Sequence, residues 1–469
     1  MSLTGAEIAR AFAETELVEG KTWRVSPEAW PLSKKQYDEI RLIGGYCFEF
    51  VSAVERLYVR SSQNKKLLRN RDFRAMWIAE YFDRGKPAEL LRHAKIEKLS
   101  GVLPVAIRPD LLITSDGFAL TEIDCMPDGI GLTSFMNALY GGAQAGIVGG
   151  IGMPELFYEA VAATRPEVSN PMVAIVVGDR FNPYRPELEY VAEILRGNGR
   201  RVHCGSTSDL LTVGDSLCLD VDGSPADVDI VVRFWELFDQ KEVPCADALT
   251  KAVENGSIVV TPPMRPYQDE KLSLALLHHH LLGDYWKENL SREALEWLLR
   301  CVPRSWVMDS APLPPGAVLD GPKVGGCPIH DWRQLAEASQ KERDLVIKIS
   351  GFDENAWGAR GLLLGGDASH YEWTSGIEEA LAAAGRALHI VQEYRKPVRL
   401  SHPVCIDESG EIFNMQGRAR LCPYYFNIGG GIKTGGVLAT FCPADKKIVH
   451  GMRDAAFLPC AVRATPPGT

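Results

Sequence analysis

Apolar residues recur at helical spacing through Tyr37, Ile40, Leu42, Ile43, Phe48 and Val51, which predicts a long amphipathic helix. Ser33, just after Pro31-Leu32, is placed to cap its start. From Gly5 to about Lys98 the pattern stays mostly helical, and no chemistry is committed there. The period then changes. Val102 to Asp124 reads as two strands around Ser115-Asp116-Gly117, and Met126 to Gly152 as loop plus a short helix.

Pro171 to Gly178 is a short apolar run, followed by a helical pattern from Glu187 to Arg196 and a strand at Arg201-Val202-His203. Strand, helix, strand is the unit of a small parallel sheet, and Asp229–Phe234 and Ser257–Thr261 are candidates to extend it. Asp344–Ile349 and Ala387–Tyr394 are further strands, and Pro403–Met415 reads as a hairpin around Glu408-Ser409-Gly410. The fold class expected is α/β (α+β) with several sheets and several subdomains.

The chain has 469 residues, 46% hydrophobic and 24% charged, as expected of a globular protein with a large core. A net charge of −10 offers no basic footprint for nucleic acid or an anionic membrane. No run is apolar enough for a membrane helix, and the first apolar stretch, broken by Glu7, Arg10 and Glu14, does not resemble a signal peptide. The eleven cysteines form no C-x-x-C pair, so reduced thiols and a cytoplasmic setting are expected. Oligomeric state is not legible.

Candidate chemistry concentrates in V-A-I-R-P-D-L-L-I-T-S-D-G-F-A-L-T-E-I-D. Arg108 and Asp110 are two apart, as are Glu122 and Asp124, so each pair shares one face of its strand. A three-residue loop Ser115-Asp116-Gly117 pairs Thr114 with Phe118, sets Asp110 opposite Glu122 and Arg108 opposite Asp124, and puts Gly117 in the left-handed position. Facing carboxylates repel unless a cation lies between them, and three with a neighbouring arginine suit Mg²⁺ beside phosphate oxygens. The bland reading is a solvated hairpin face with a surface ion pair.

R-x-D, eleven residues, then E-x-D and a Pro- and Gly-bearing loop resembles the metal-binding signature of glutathionylspermidine synthase and its circularly permuted ATP-grasp relatives. The resemblance implies Arg108 as the phosphate-contacting, catalytic arginine and Asp110, Glu122 and Asp124 as Mg²⁺ ligands; the last is more usually Asn in that family. It further implies Lys271 and Lys348 as the two lysines that hold ATP phosphates, with Ser350 and Gly351 in the flexible loop after Lys348. H-I-V-Q-E-Y resembles the hinge strand whose backbone reads adenine, with Gln392, Glu393 and Tyr394 at its edge. The Trp-Glu of R-F-W-E-L-F-D-Q, Arg233 to Gln240, also resembles a family segment and carries no assigned role.

On that resemblance the expected division is a helical region 1–98, a metal-binding part of the core 99–165, a Rossmann-like subdomain 166–262, an ATP-binding and lid subdomain 263–400, and the remainder of the core 401–469. The implied activity is an ATP-dependent carboxylate–amine ligase working through an acyl phosphate, with ATP and Mg²⁺, on small-molecule carboxylate and amine substrates. A non-catalytic ATP-binding scaffold or sensor and a phosphotransferase are the alternatives.

Several motifs are set aside. Gly429-Gly-Gly-Ile-Lys433-Thr434 fails as a P-loop because Ile432 occupies the place of its last glycine; a mobile surface loop and a lid remain open for it. Gly149-Gly150-Ile151-Gly152 follows no strand, which argues against a dinucleotide site. His278-His279-His280 point in different directions on a helix and read as packing. Cys125 lies beside carboxylates that disfavour a thiolate.

Overall fold

The computed structural model describes all residues except 1–2, 215, 315–316, 359, 406–410 and 464–469. It is a mixed α/β protein with several sheets. No helix among the described residues is long and apolar enough to cross a membrane.

The largest sheet has seven strands. From one edge it runs Trp30–Leu32, Ala456–Val462, Gly431–Pro443, Ile412–Ile428, Ala106–Thr114 and Gly117–Asp124, with Leu400–Cys405 also paired to Ile412–Ile428. Only the Trp30–Leu32 edge is parallel to its neighbour. Alternation sorts the side chains onto two faces. Ile107, Leu111, Leu421, Tyr425, Val437 and Ala439 join the core beneath the long helix Lys34–Ser62. That helix starts at Ser33 with a capping box, as the sequence predicts. It approaches closely at Gly44, where a Cβ would lie 2.4 Å from the Tyr425 ring. The opposite face carries Arg108, Asp110, Arg420, Cys422 and Thr440 and floors a cavity.

The small parallel sheet forms as expected, in the order Val259–Thr261, Ile230–Phe234, Val173–Val177, Val202–Ser206. A third, antiparallel sheet runs Ser305–Met308, His389–Glu393, Leu345–Ile349, Leu362–Leu364. These units and the large sheet surround the cavity. The short sheet Leu210–Val213, Ser216–Val221, Ser224–Asp227 gave no separate sequence signal.

Three local expectations need correction. The stretch after Met126 holds a twelve-residue helix, Ile130–Gly141, rather than a short one. Its mostly buried residues give no clean amphipathic stripe to read. The glycine-rich segment is a strand hairpin rather than an irregular loop: Gly429 and Gly430 make a tight turn at positive φ, and Lys433 and Thr434 pair with Phe426 and Tyr425 inside the hairpin. The third correction is the carboxylate hairpin itself, whose turn is Ser115-Asp116 with Thr114 paired to Gly117. The hairpin proposed around Glu408-Ser409-Gly410 has its turn outside the described residues, and its flanking strands pair antiparallel.

Candidate active site

A two-residue turn that pairs Thr114 with Gly117 would set Asp110 opposite Thr121 if the register ran unbroken. It does not run unbroken. The pairing slips by one residue between Leu111↔Leu120 and Asp110↔Glu122, leaving Thr121 as the extra residue of a bulge. Beyond the bulge Asp110 faces Glu122 and Arg108 faces Asp124, the arrangement the sequence predicts, reached by another route.

Arg108 is the hub of this face. Its guanidinium lies 3.4 Å from Asp110, 3.0 Å from Asp124 and in close contact with Asp128. Burial opposes its charge, yet Asp128, Asp124 and Asp110 outweigh burial and raise its pKa. Asp110 is nearly inaccessible and also binds Arg420 at 2.6 Å. Burial pushes its carboxyl up, and Arg420 and Arg108 bring it below the ordinary value. For Asp124 burial wins: with Asp128 and Asp269 nearby, its carboxyl is pushed up to about 8 despite Arg108.

Glu122 faces Lys271, whose Nζ lies 2.7 Å away and also donates to the Ala356 carbonyl at 2.8 Å. Lys271 immediately precedes the helix Leu272–Leu277, so its side chain starts from the end of that helix. Lys348, from the strand Leu345–Ile349, donates to Gln392 Oε1 at 2.8 Å; burial lowers its pKa to about 8, against the pull of Glu122. The structure thus gathers Arg108, Asp110, Glu122, Asp124, Lys271, Lys348, Gly351, Gln392, Glu393 and Tyr394 around one cavity of about 390 Å³.

Ser350 is turned away from it. Its hydroxyl accepts from Leu272 N–H at 2.9 Å and donates to Glu270, which fixes the strand to the Leu272–Leu277 helix. The expected hinge strand, His389–Glu393, is internal to its sheet, between Ser305–Met308 and Leu345–Ile349, and Gln392, Glu393 and Tyr394 lie at its C-terminal end. The Glu393 and Tyr394 amides are spent on the Arg304 and Asp344 carbonyls. The Tyr394 hydroxyl is buried without a hydrogen-bond partner among the described residues.

The segment after Lys348 lies against the parallel-sheet unit. Trp357 stacks on Phe181 at 5.4 Å, Glu354 is 3.5 Å from Arg180, and Phe352 meets Phe238 edge-on at 6.2 Å. Four site residues escaped sequence reasoning: Asp128, Glu187, Arg420 and Thr440. Asp128 sits in the loop just past the signature. Glu187 accepts from the Gly129 and Leu132 N–H groups at the start of the helix Ile130–Gly141. Arg420 and Thr440 reach the site through strand pairing, which no local spacing reveals.

As a donor set, Asp110, Glu122 and Asp124 suit a hard divalent cation, and the partly buried, under-compensated Asp124 is a carboxylate that such a cation would relieve. Each is engaged by arginine or lysine, and no three Asp, Glu, His or Cys side chains among the described residues converge on a metal-sized point.

Comparison with known proteins bears on the fold. No protein-family model matches the chain. No curated protein matches it either. Among solved structures it is similar to a glutathione synthetase like-effector from Globodera pallida, in apo form: TM-score 0.53, 10% identity, 98% of each chain covered. A putative gamma-glutamylcysteine synthetase from Methylobacillus flagellatus overlaps with TM-score 0.44 and 14% identity over 78% of this chain and 82% of that one, too little to speak for a shared fold. The first likeness shows a common fold over nearly the whole length and leaves the chemistry to the residues.

Proposed function

We propose that this protein is an ATP-dependent carboxylate–amine ligase that binds Mg-ATP in a circularly permuted ATP-grasp arrangement. The observation that carries the reading is the convergence of Arg108, three carboxylates and two lysines from four separate chain segments on one cavity. Their order supports the permutation, since the carboxylates at 110–124 precede the lysines at 271 and 348.

Asp110, Glu122 and Asp124 would hold Mg²⁺, which supplies charge neutralisation at the phosphate oxygens. Lys271 and Lys348 neutralise and align the phosphates, and Lys271 exchanges its contact with Glu122 for one with phosphate. A carboxylate oxygen of the acyl donor attacks the γ-phosphorus, the bond to the β-phosphate oxygen breaks, and ADP departs. Arg108 stabilises the charge that develops on the transferring group. An amine then attacks the acyl carbon, the bond to phosphate breaks, and the amine's proton leaves as the amide forms. The segment after Lys348, packed on Phe181 and Arg180, keeps water from the acyl phosphate.

A second reading is nucleotide binding without ligation. It is favoured by the tight engagement of Asp110 between Arg108 and Arg420. Calorimetric titration of ATP with and without Mg²⁺, on the wild type and on Asp110→Asn and Lys348→Ala, tests the binding site. ADP release that requires both an acid and an amine, with a new amide as product, selects the ligase. Tight Mg-ATP binding with no product from any acid–amine pair would leave the second reading.

A further inference from the structure

The helical region 5–98 shows no chemistry in its sequence, yet one turn of it bears on both lysine-bearing elements of the cavity. The helix Met76–Asp83 runs into the turn Arg84-Gly85-Lys86. Arg84 lies 3.1 Å from Asp309 and donates to the Ala384 carbonyl at 3.2 Å, both in the unit built on the third sheet. Gly85, at φ 73°, presses on the same unit: a Cβ there would lie 1.8 Å from the Arg386 carbonyl oxygen, so the close approach requires glycine. Lys86 turns inward. Its side chain is 2% exposed, and its ammonium lies 2.6 Å from the Glu270 carboxylate, itself 5% exposed.

Glu270 immediately precedes Lys271 and has a second partner. Its other carboxylate oxygen accepts from the Ser350 hydroxyl, which accepts from Leu272 N–H at 2.9 Å. Lys271 N–H donates to the Ser350 carbonyl at 2.9 Å. The next residue, Gly351, is so close that a Cβ would stand 3.1 Å from the Glu270 carboxylate carbon. Beyond it, the Phe352 ring lies 5.4 Å from the Lys86 ammonium. Lys86 thus meets both the backbone from which Lys271 projects and the segment that follows the strand of Lys348.

A buried ion pair is a poor device for holding a fold together, because desolvation cancels much of the attraction and apolar side chains of similar volume often serve as well. What this pair supplies is direction. Two carboxylate oxygens with one fixed donor each set the relative positions of three chain segments, around 86, 270 and 350. Neither Lys86 nor Glu270 lines the cavity, so the pair acts on a ligand only through its neighbours.

We propose that Lys86 is a positioning residue of the phosphate site: through Glu270 it fixes Lys271 and the start of the covering segment where they hold the triphosphate. The inference rests on the nucleotide reading for what the cavity binds. It gives the helical region a part in the site, as the brace against which two elements are set in register.

The test uses the full chain and compares Lys86→Met, Lys86→Arg and the double variant Lys86→Met with Glu270→Gln against the wild type. Each is read twice: the thermal midpoint without ligand, and the affinity for a non-hydrolysable ATP analogue with Mg²⁺ by calorimetry. Lys86→Met strands a buried carboxylate and should lower both. The double variant leaves no unpaired charge, so its midpoint should return most of the way to the wild type. Its affinity should stay about tenfold down, as when one charge-assisted contact to phosphate is misplaced. Lys86→Arg keeps the charge opposite Glu270 and should bind the analogue more tightly than the double variant does.

A double variant that binds the analogue as tightly as the wild type overturns the proposal, and so does an affinity that simply follows the midpoint across the three variants. Either result makes the pair an anchor of the fold alone and leaves the nucleotide reading standing. If the wild type does not bind the analogue, the nucleotide reading falls, and the phosphate role of Lys86 falls with it.

Discussion

The Lys271 ammonium lies 2.7 Å from the Glu122 carboxylate, and the same nitrogen donates to the Ala356 carbonyl. One lysine thus ties a proposed metal ligand to the segment that covers the cavity. Incoming phosphate would compete for that lysine and free Glu122 at the same moment. Wild-type protein at about a hundred times the Kd of Mg-ATP should gain roughly 2.7 kcal/mol of stability. Lys271→Met should lose most of that gain at the same concentration, read as the shift in thermal midpoint. A full shift in the variant would make Lys271 only a strut between Glu122 and the loop.

Arg108 is proposed to act on charge that exists only during transfer. Arg108→Lys should therefore lower turnover far more than nucleotide affinity, by about a hundredfold if it resembles the loss of one preorganised donor. The lysine keeps a positive charge among Asp110, Asp124 and Asp128, which protects the fold better than alanine. Mg-ATP affinity by calorimetry should stay within a few-fold. Equal losses in turnover and affinity would mean that Arg108 is a simple binding residue.

The carboxylate hairpin shows how much of the site could be read in advance. The spacing of Arg108, Asp110, Glu122 and Asp124 fixed which residues share a face, because alternation along a strand is rigid. The loop length did not follow, because a bulge at Thr121 restores the same facing after a shorter turn. Arg420 and Thr440 were invisible for a different reason: they lie far along the chain from the hairpin, and only sheet order brings Arg420 beside Asp110 and Thr440 beside Arg420. The long helix and the parallel sheet were legible because each carries its own periodicity. The helix Ile130–Gly141 was underread because burial on several sides erases the amphipathic stripe.

Trp357 and Phe181 hold the covering segment with a stacked pair at 5.4 Å. Such a pair is worth about 0.5–1.5 kcal/mol beyond burial, so Trp357→Ala should raise the Kd for Mg-ATP by roughly two- to tenfold. Limited proteolysis supplies an independent reading. Cleavage within 351–358 should become faster in the variant without nucleotide and slow again when Mg-ATP is added. Unchanged affinity together with unchanged cleavage would show that the stack does not hold this segment.

Glu187 gives a prediction that needs no ligand. Its carboxylate is buried and accepts from the Gly129 and Leu132 amides, which anchors the helix Ile130–Gly141. Burial, then Asp128, raises its pKa from the ordinary 4.5 to about 7, although both N–H groups oppose the rise. The folded state therefore holds this proton more tightly than the unfolded chain. The resulting stability is fully present below about 4.5 and is lost as pH rises through about 7. The loss is on the order of 3 kcal/mol, since one pKa unit is worth ~1.4 kcal/mol. Glu187→Gln cannot ionise and should lack this component. It starts less stable, because its amide nitrogen donates and cannot accept, so one of the two N–H groups loses its partner, and it should gain relative to the wild type between pH 5 and pH 8. Chemical denaturation across that range measures the difference, and parallel pH curves for the two proteins would show that Glu187 ionises alike in the folded and unfolded chain.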